Sequence, residues 1–401
     1  MNGVPRALIS FATLALVATI VPAPTAQRAP LSFRVRETSG IQRTQYPVSA
    51  RIPLPKGALT EASQARLQAG GADVPAQFTA TTTWDDGSVQ SLDVDFNASL
   101  EPEEERRYQV QLGQPATTPP AAARGLTVDE QTEIVQVGPM KFSRSGVPLV
   151  ASVAYRGEGI GHGRNGVTVT DAAGKRHDLG AARAPKLEVQ KHGPLLAVVK
   201  YSAALLIDES YATPVEVLME MPNSKSWLKM IVTVRDPGRR LRDIALETPL
   251  AFDAYPWLWD FGTDSGTYGV LRSASDGVTL SQTASSAGAN RWMVLTTNAP
   301  QPRRPYETSA GSRVKTAGGW GHFQDVKTAV AFGVEGFGKT SGTYSIALDG
   351  QGQTAFRFAP AEPATQHQLT VYLHFVPTPV AVGAATNPTS MLNPPVVVLD
   401  R

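Results

Sequence analysis

Through positions 91–100 every second residue is apolar: Leu92, Val94, Phe96, Ala98 and Leu100 alternate with polar neighbours. A side-chain period of two belongs to an extended strand with one face on a core and the other toward water. After a charged turn at 101–107 the same alternation returns in Tyr108, Val110 and Leu112. It recurs in Met230, Val232 and Val234, and again in Leu369, Val371, Leu373 and Phe375. Shorter segments of the same kind, at 134–137, 167–170, 186–190, 197–207, 215–219, 291–296, 328–334, 343–348 and 354–358, sit between Gly, Pro, Asn or Asp. Few segments with a 3.6-residue period reach four turns. With 35 Gly and 31 Pro in the chain, long helices have little room. The expected fold is all-β.

A length of 401 residues exceeds one typical small domain, and 42% hydrophobic content is enough to build a core without cross-links. The run Gln114-Pro115-Ala116-Thr117-Thr118-Pro119-Pro120 and the alanines up to Arg124 hold no packing residues, so 114–124 reads as a linker. It divides a small N-terminal barrel-like domain, 27–113, from a large antiparallel β-sandwich domain, 125–401. Residues 1–26 have the form of a signal peptide: Arg6, an apolar run at 7–21, then small residues at Ala23, Thr25 and Ala26. That run is short for a membrane span. The expected location is therefore secreted or periplasmic, with no membrane association after cleavage. Zero cysteines exclude disulfides and thiolate chemistry. A net charge of +2 with scattered basic residues argues against nucleic acid as a partner.

The first domain carries an ordered set of motifs: Thr38-Ser39-Gly40-Ile41-Gln42-Arg43, Tyr46-Pro47-Val48, Ile52-Pro53-Leu54-Pro55-Lys56-Gly57, Val74-Pro75-Ala76-Gln77 and Trp84-Asp85-Asp86-Gly87-Ser88. In that order they resemble the N-terminal barrel domain of the exo-rhamnogalacturonan lyase family. A softer likeness continues through Trp227–Arg240, Gly319-Trp320 and the strand ending at His374-Phe375. The resemblance implies a secreted polysaccharide lyase cleaving uronic-acid-containing glycans by β-elimination. Larger members of that family continue into an α/α toroid, and these residues show no such helical region, so the activity does not transfer automatically. Three readings stay open: a lyase, a non-catalytic glycan-binding protein, and a structural or assembly protein of the envelope. The expected partner is a polysaccharide or oligosaccharide. No cofactor or metal is expected, and nothing specifies an oligomeric state.

Elimination from a uronate needs a base for the C5 proton, a cation or donor at the carboxylate, and an acid for the leaving oxygen. In the glycine-rich stretch 157–166, His162 can serve as base or acid and Arg164 can pair a carboxylate. The alternative is a solvated hairpin tip. The same stretch spells Gly161-x-Gly163-x-x-Gly166, but a strand follows it where a dinucleotide site needs a helix. Tyr372 and His374 form a second candidate acid–base pair, against a plain solvated face. Tyr255, Trp257 and Trp259 alternate and offer one aromatic face for stacking on a sugar, or equally a row of core residues. Trp320 and His322, after Gly318 and Gly319, suggest a displayed loop or a plug at the end of the sandwich. His177, His192 and His367 lack metal-ligand spacing. Asp85 and Asp86 belong to an Asp-Gly turn, and no Gly-x-Ser-x-Gly elbow exists.

Overall fold

The computed structural model describes residues 31–113, 125–155, 159–263, 266–284, 291–300, 316–381, 383 and 386–400. The expected signal peptide (1–26) and linker (114–124) lie outside them. The described chain is all-β, with one short α-helix, Thr386–Leu392, and two single-turn 3-10 helices among the described residues. No helix among them is long and apolar enough to cross a membrane.

The first 83 described residues, 31–113, supply most of two separately hydrogen-bonded sheets that share one core, a barrel-like unit whose sheets do not close on each other. One has three strands, with Val89–Leu100 between Arg43–Pro53 and Ala76–Thr83; the other has five, centred on Glu105–Leu112. Phe33, Phe96 and Tyr108 form its aromatic centre, with ring centroids 4.7–5.9 Å apart. The alternation read at 91–100 is the cause: Leu92, Val94, Phe96, Ala98 and Leu100 are all buried in this core. Around the Trp84–Ser88 turn, Asp86 Oδ1 accepts from the amide and hydroxyl of Ser88, and the Trp84 indole donates to the Leu54 carbonyl.

Beyond the linker, a seven-stranded and a nine-stranded antiparallel sheet share one core, and a four-stranded sheet spanning 128–153 packs onto it. In the nine-stranded sheet, Trp227–Arg235 sits between Ala212–Pro222 and Gln366–Val376, with Met230 opposite Val371 and Lys229 opposite Tyr372. Met230, Val232, Val234, Leu369, Val371 and Leu373 point inward. Alternate residues of the same strands therefore point outward, toward the small barrel.

The small barrel lies on that outer face. Gln77 donates to the Leu196 carbonyl and accepts from the Leu195 and Leu196 amides at 2.9–3.1 Å. Asn97 donates to Asn223, and the Lys225 ammonium reaches the Thr44 carbonyl. One strand crosses the division expected from sequence at 114–124. Val396–Leu399, assigned by sequence to 125–401, pairs antiparallel with Leu31–Arg36 and completes the five-stranded sheet. The sequence pattern carries no sign of this, because strand pairing over such a separation leaves no local period.

Candidate functional site

Outward positions of the nine-stranded sheet form aligned rows. Glu220, Lys229, Tyr372, Gly333 and Trp320 are successive cross-strand partners in one row. Trp227, His374, Ala331, His322 and Asp260 form the next. Four residues chosen from sequence, Trp320, His322, Tyr372 and His374, thus occupy one face. The barrel and the helix Thr386–Leu392 partly cover it, and Leu392 lies over Gly333, which has no Cβ to obstruct it.

Where barrel meets sheet there is a hollow of about 360 Å³ lined by Tyr46, Leu196, Glu220, Trp227, Lys229 and Tyr372, among others. Trp227 organises it, meeting Tyr46 edge-on at 5.5 Å, Tyr372 at 6.4 Å and His374 at 5.9 Å. The Lys229 ammonium lies 5.6 Å from the Tyr372 ring centre and 3.5 Å from Glu220 Oε2. A buried aromatic cluster beside a donor–acceptor pair gives the hollow an apolar floor and a polar rim. Burial raises the Tyr372 phenol above its ordinary range, so it stays protonated at neutral pH. Burial, with Lys225 and His322 nearby, pushes His374 down to about 4. At neutral pH the pair is uncharged, a set of hydrogen-bonding groups on a buried row. Sequence reading found Tyr372 and His374 but missed Tyr46, Glu220, Trp227 and Lys229. The available signal was Trp227 and Lys229 at outward positions of a strand whose other face is wholly apolar.

His322 is not on a displayed loop. It lies in the strand Trp320–Gln324, 1% exposed, with Nδ1 2.9 Å from Asp260 Oδ1; its backbone amide donates to the same oxygen. Trp320 is half-buried, and its ring packs so closely on Gly262 that an added Cβ there would sit 2.1 Å away. Gly262 and Gly318 leave the ring its space, whereas a Cβ on Gly319 would meet Phe337 and one on Gly321 the Asp260 carbonyl. Trp257 and Trp259 take the core reading of the two stated for them. The alternation exists, but its face is the inner one: the two indoles are 4% and 1% exposed and belong to the sandwich core. Tyr255 is half-buried, stacked on Trp257 at 4.4 Å, and its hydroxyl donates to the Gly350 carbonyl. Leu258 faces outward instead.

His162 and Arg164 lie on a separate cleft of about 660 Å³, beside the four-stranded sheet and lined also by Pro148, Ile160, Asn165 and Asp178. Among the described residues no Phe, Tyr or Trp lines it, so His162 is not grouped there with the aromatic segments expected beside it. The Arg164 guanidinium is engaged: Nε is 2.8 Å from Glu247 Oε2, while Arg176 holds the other oxygen at 2.7 Å. Glu247 is buried, so two arginines neutralise it. His162 is exposed, and no described side chain hydrogen-bonds it. The loop is packed rather than a free tip; a Cβ on Gly161 would meet the Leu250 carbonyl at 2.8 Å. Gly157, at its start, lies outside the described residues. Among the described residues, no group of three or more His, Asp or Glu is arranged to hold a metal.

No protein-family model matches the chain, and no curated protein does. Solved structures do share its fold. An alpha-mannosidase from Enterococcus faecalis V583 superposes with a TM-score of 0.53 over 93% of this chain and 46% of that one, at 11% identity. A protein in glycosyl hydrolase family 38 from Enterococcus faecalis gives 0.50 over 93% of this chain and 47% of its own, also at 11% identity. The chain therefore spans less than half the length of either protein. At that identity the likeness is one of fold.

Proposed function

We propose that this is a secreted carbohydrate-binding protein that holds a glycan in the cleft between its barrel and its large sandwich. The observation that carries the reading is the hollow beside Trp227: the rings of Trp227, Tyr46 and Tyr372, 6%, 4% and 7% exposed, pack into its apolar floor, and the Lys229–Glu220 pair lines its rim. A sugar offers an apolar C–H face to rings and hydroxyls that both donate and accept, which a cation–carboxylate pair serves at once. The motif resemblance to exo-rhamnogalacturonan lyases and a fold shared with an alpha-mannosidase support the same class of ligand. The sequence form of residues 1–26 supports export.

A second reading, β-elimination on a uronic-acid glycan, is favoured by one observation: among the described residues His162 stands exposed and without a hydrogen-bonding side chain on a cleft beside an arginine. One experiment separates the two. The protein is incubated with neutral and uronate polysaccharides while binding is followed by calorimetry and unsaturated product by absorbance. Binding without an absorbance rise, lost in Lys229→Ala and kept in His162→Ala, supports the binding protein. A rise abolished by His162→Ala supports the lyase, since loss of a general acid or base costs roughly 10²–10⁴-fold.

A further inference from the structure

The aromatic hollow does not end at Glu220. A second hollow of about 670 Å³ shares Ser49, Leu196 and Glu220 with it and continues between the three-stranded sheet of the barrel and the nine-stranded sheet. A third, of about 280 Å³, shares Gln190 and Leu218 with the second and lies farther along the same outer face. The three form one groove, walled at one end by the barrel and open along the sheet. We propose that this groove is the binding site for a linear oligosaccharide of uncharged sugars, several residues long, with Trp227 and Tyr372 holding one end. The proposal rests on the glycan-binding reading above and extends it to the class and length of the ligand.

Charge decides the class. Each hollow contains cations already matched by carboxylates: Lys229 with Glu220 at 3.5 Å in the first, and Lys200 with Glu216 at 3.3 Å in the third. In the second, Arg51 donates to both oxygens of Asp93 at 2.8 and 3.2 Å. Lys191 bridges Asp93 and the buried Asp95 at 3.0 and 2.7 Å. An anionic sugar would find no unmatched cation here and would face the carboxylates as well. A neutral sugar gains from the same pairs, because its hydroxyls donate to the carboxylates and accept from the ammonium and guanidinium groups. Repetition decides the length: a donor–acceptor pair recurs in each of three connected hollows, which suits a ligand that repeats its own hydroxyl pattern.

The test is calorimetric titration of the full chain with gluco-, manno- and galacto-oligosaccharides of one, three and six units, and with oligogalacturonates of the same lengths. The expected result is affinity for at least one neutral series that rises about tenfold or more between one and six units, with oligogalacturonates weaker. Thr81→Trp fills the second hollow from an exposed position and leaves the aromatic hollow intact. It should reduce the six-unit affinity to that of the short sugars and leave the short sugars unchanged. Arg51→Ala, whose side chain is 69% exposed, provides a second variant that tests the same hollow. Short-sugar binding that is lost in Tyr372→Ala but shows no length dependence would overturn the extended groove while leaving the aromatic site in place. Preference for oligogalacturonates would overturn the neutral class. No binding of any series would overturn the glycan reading itself, and this extension with it.

Discussion

Arg43 and Glu37 form a fully enclosed ion pair, Nη2 to Oε1 2.9 Å, where the barrel meets the returning C-terminal segment. Arg43 also donates to the Ser390 and Asn393 carbonyls, at 3.0 and 2.6 Å, and Glu37 accepts from the amides of Ser39 and Glu103. The pair fastens the end of the helix Thr386–Leu392, and so the last strand, to the barrel.

Arg43→Ala leaves a carboxylate buried without its cation. Removing one partner of such a pair costs about 3–5 kcal/mol. Urea unfolding of the variant should show this loss, and a change below about 1 kcal/mol, the scale of an exposed ion pair, would contradict the enclosure.

The same carboxylate sets an acid limit. Burial works to raise the Glu37 pKa, but the hydrogen bond from Arg43 and those from backbone amides outweigh it and hold the group at about 2, against an ordinary 4.5. The folded state therefore keeps this proton off more strongly than the unfolded chain. The contribution is complete above pH 4.5 and is lost as pH falls toward 2. Glu37→Gln should be less stable at neutral pH and show a flatter decline through that window.

His374 acts in the window above. Its pKa is lowered from 6.5 to about 4, and that of His367 is lowered too, each chiefly by burial. A lowered histidine pKa means the unfolded chain binds the proton more readily, so stability falls as pH drops from 6.5 toward 4. Proton NMR should find the His374 ring titrating near 4. A midpoint at 6.5 would place it in water.

Trp259→Ala tests the inward assignment of the aromatic row. Truncating a core aromatic costs about 3–5 kcal/mol. The melting temperature should fall steeply, while glycan affinity of the remaining folded protein stays close to that of the parent. Selective loss of binding with unchanged stability would restore the sugar-platform reading.

Export carries its own check. Secreted protein should begin between Pro24 and Arg28, where small residues end the apolar run. Intact mass showing Met1 retained would exclude cleavage.

The strands were legible because each carries its own period. Residues 91–100 and 227–234 announced both their extended conformation and which alternate positions share a face, and Met230, Val232 and Val234 proved to be core as that pattern requires. The candidate site was less legible. Tyr372 and His374 were assigned to the polar face of their strand, and that is where they lie, but the sequence could not show that a barrel would cover them. The two readings of Trp257 and Trp259 stayed open for the same reason: alternation puts two tryptophans on one face without saying whether that face turns to the core or to solvent.

By itself the sequence determined an all-β chain, the places where strands run and the two faces of each, since these follow from the chemistry of neighbouring residues. The tertiary structure decided the rest: that Val396–Leu399 returns to Leu31–Arg36, that Arg164 is engaged by Glu247, and that Tyr46 meets Trp227 across the cleft. Each of these joins residues far apart in the chain. Contacts of that kind are selected by the packing of whole sheets, and no local pattern of side chains records them.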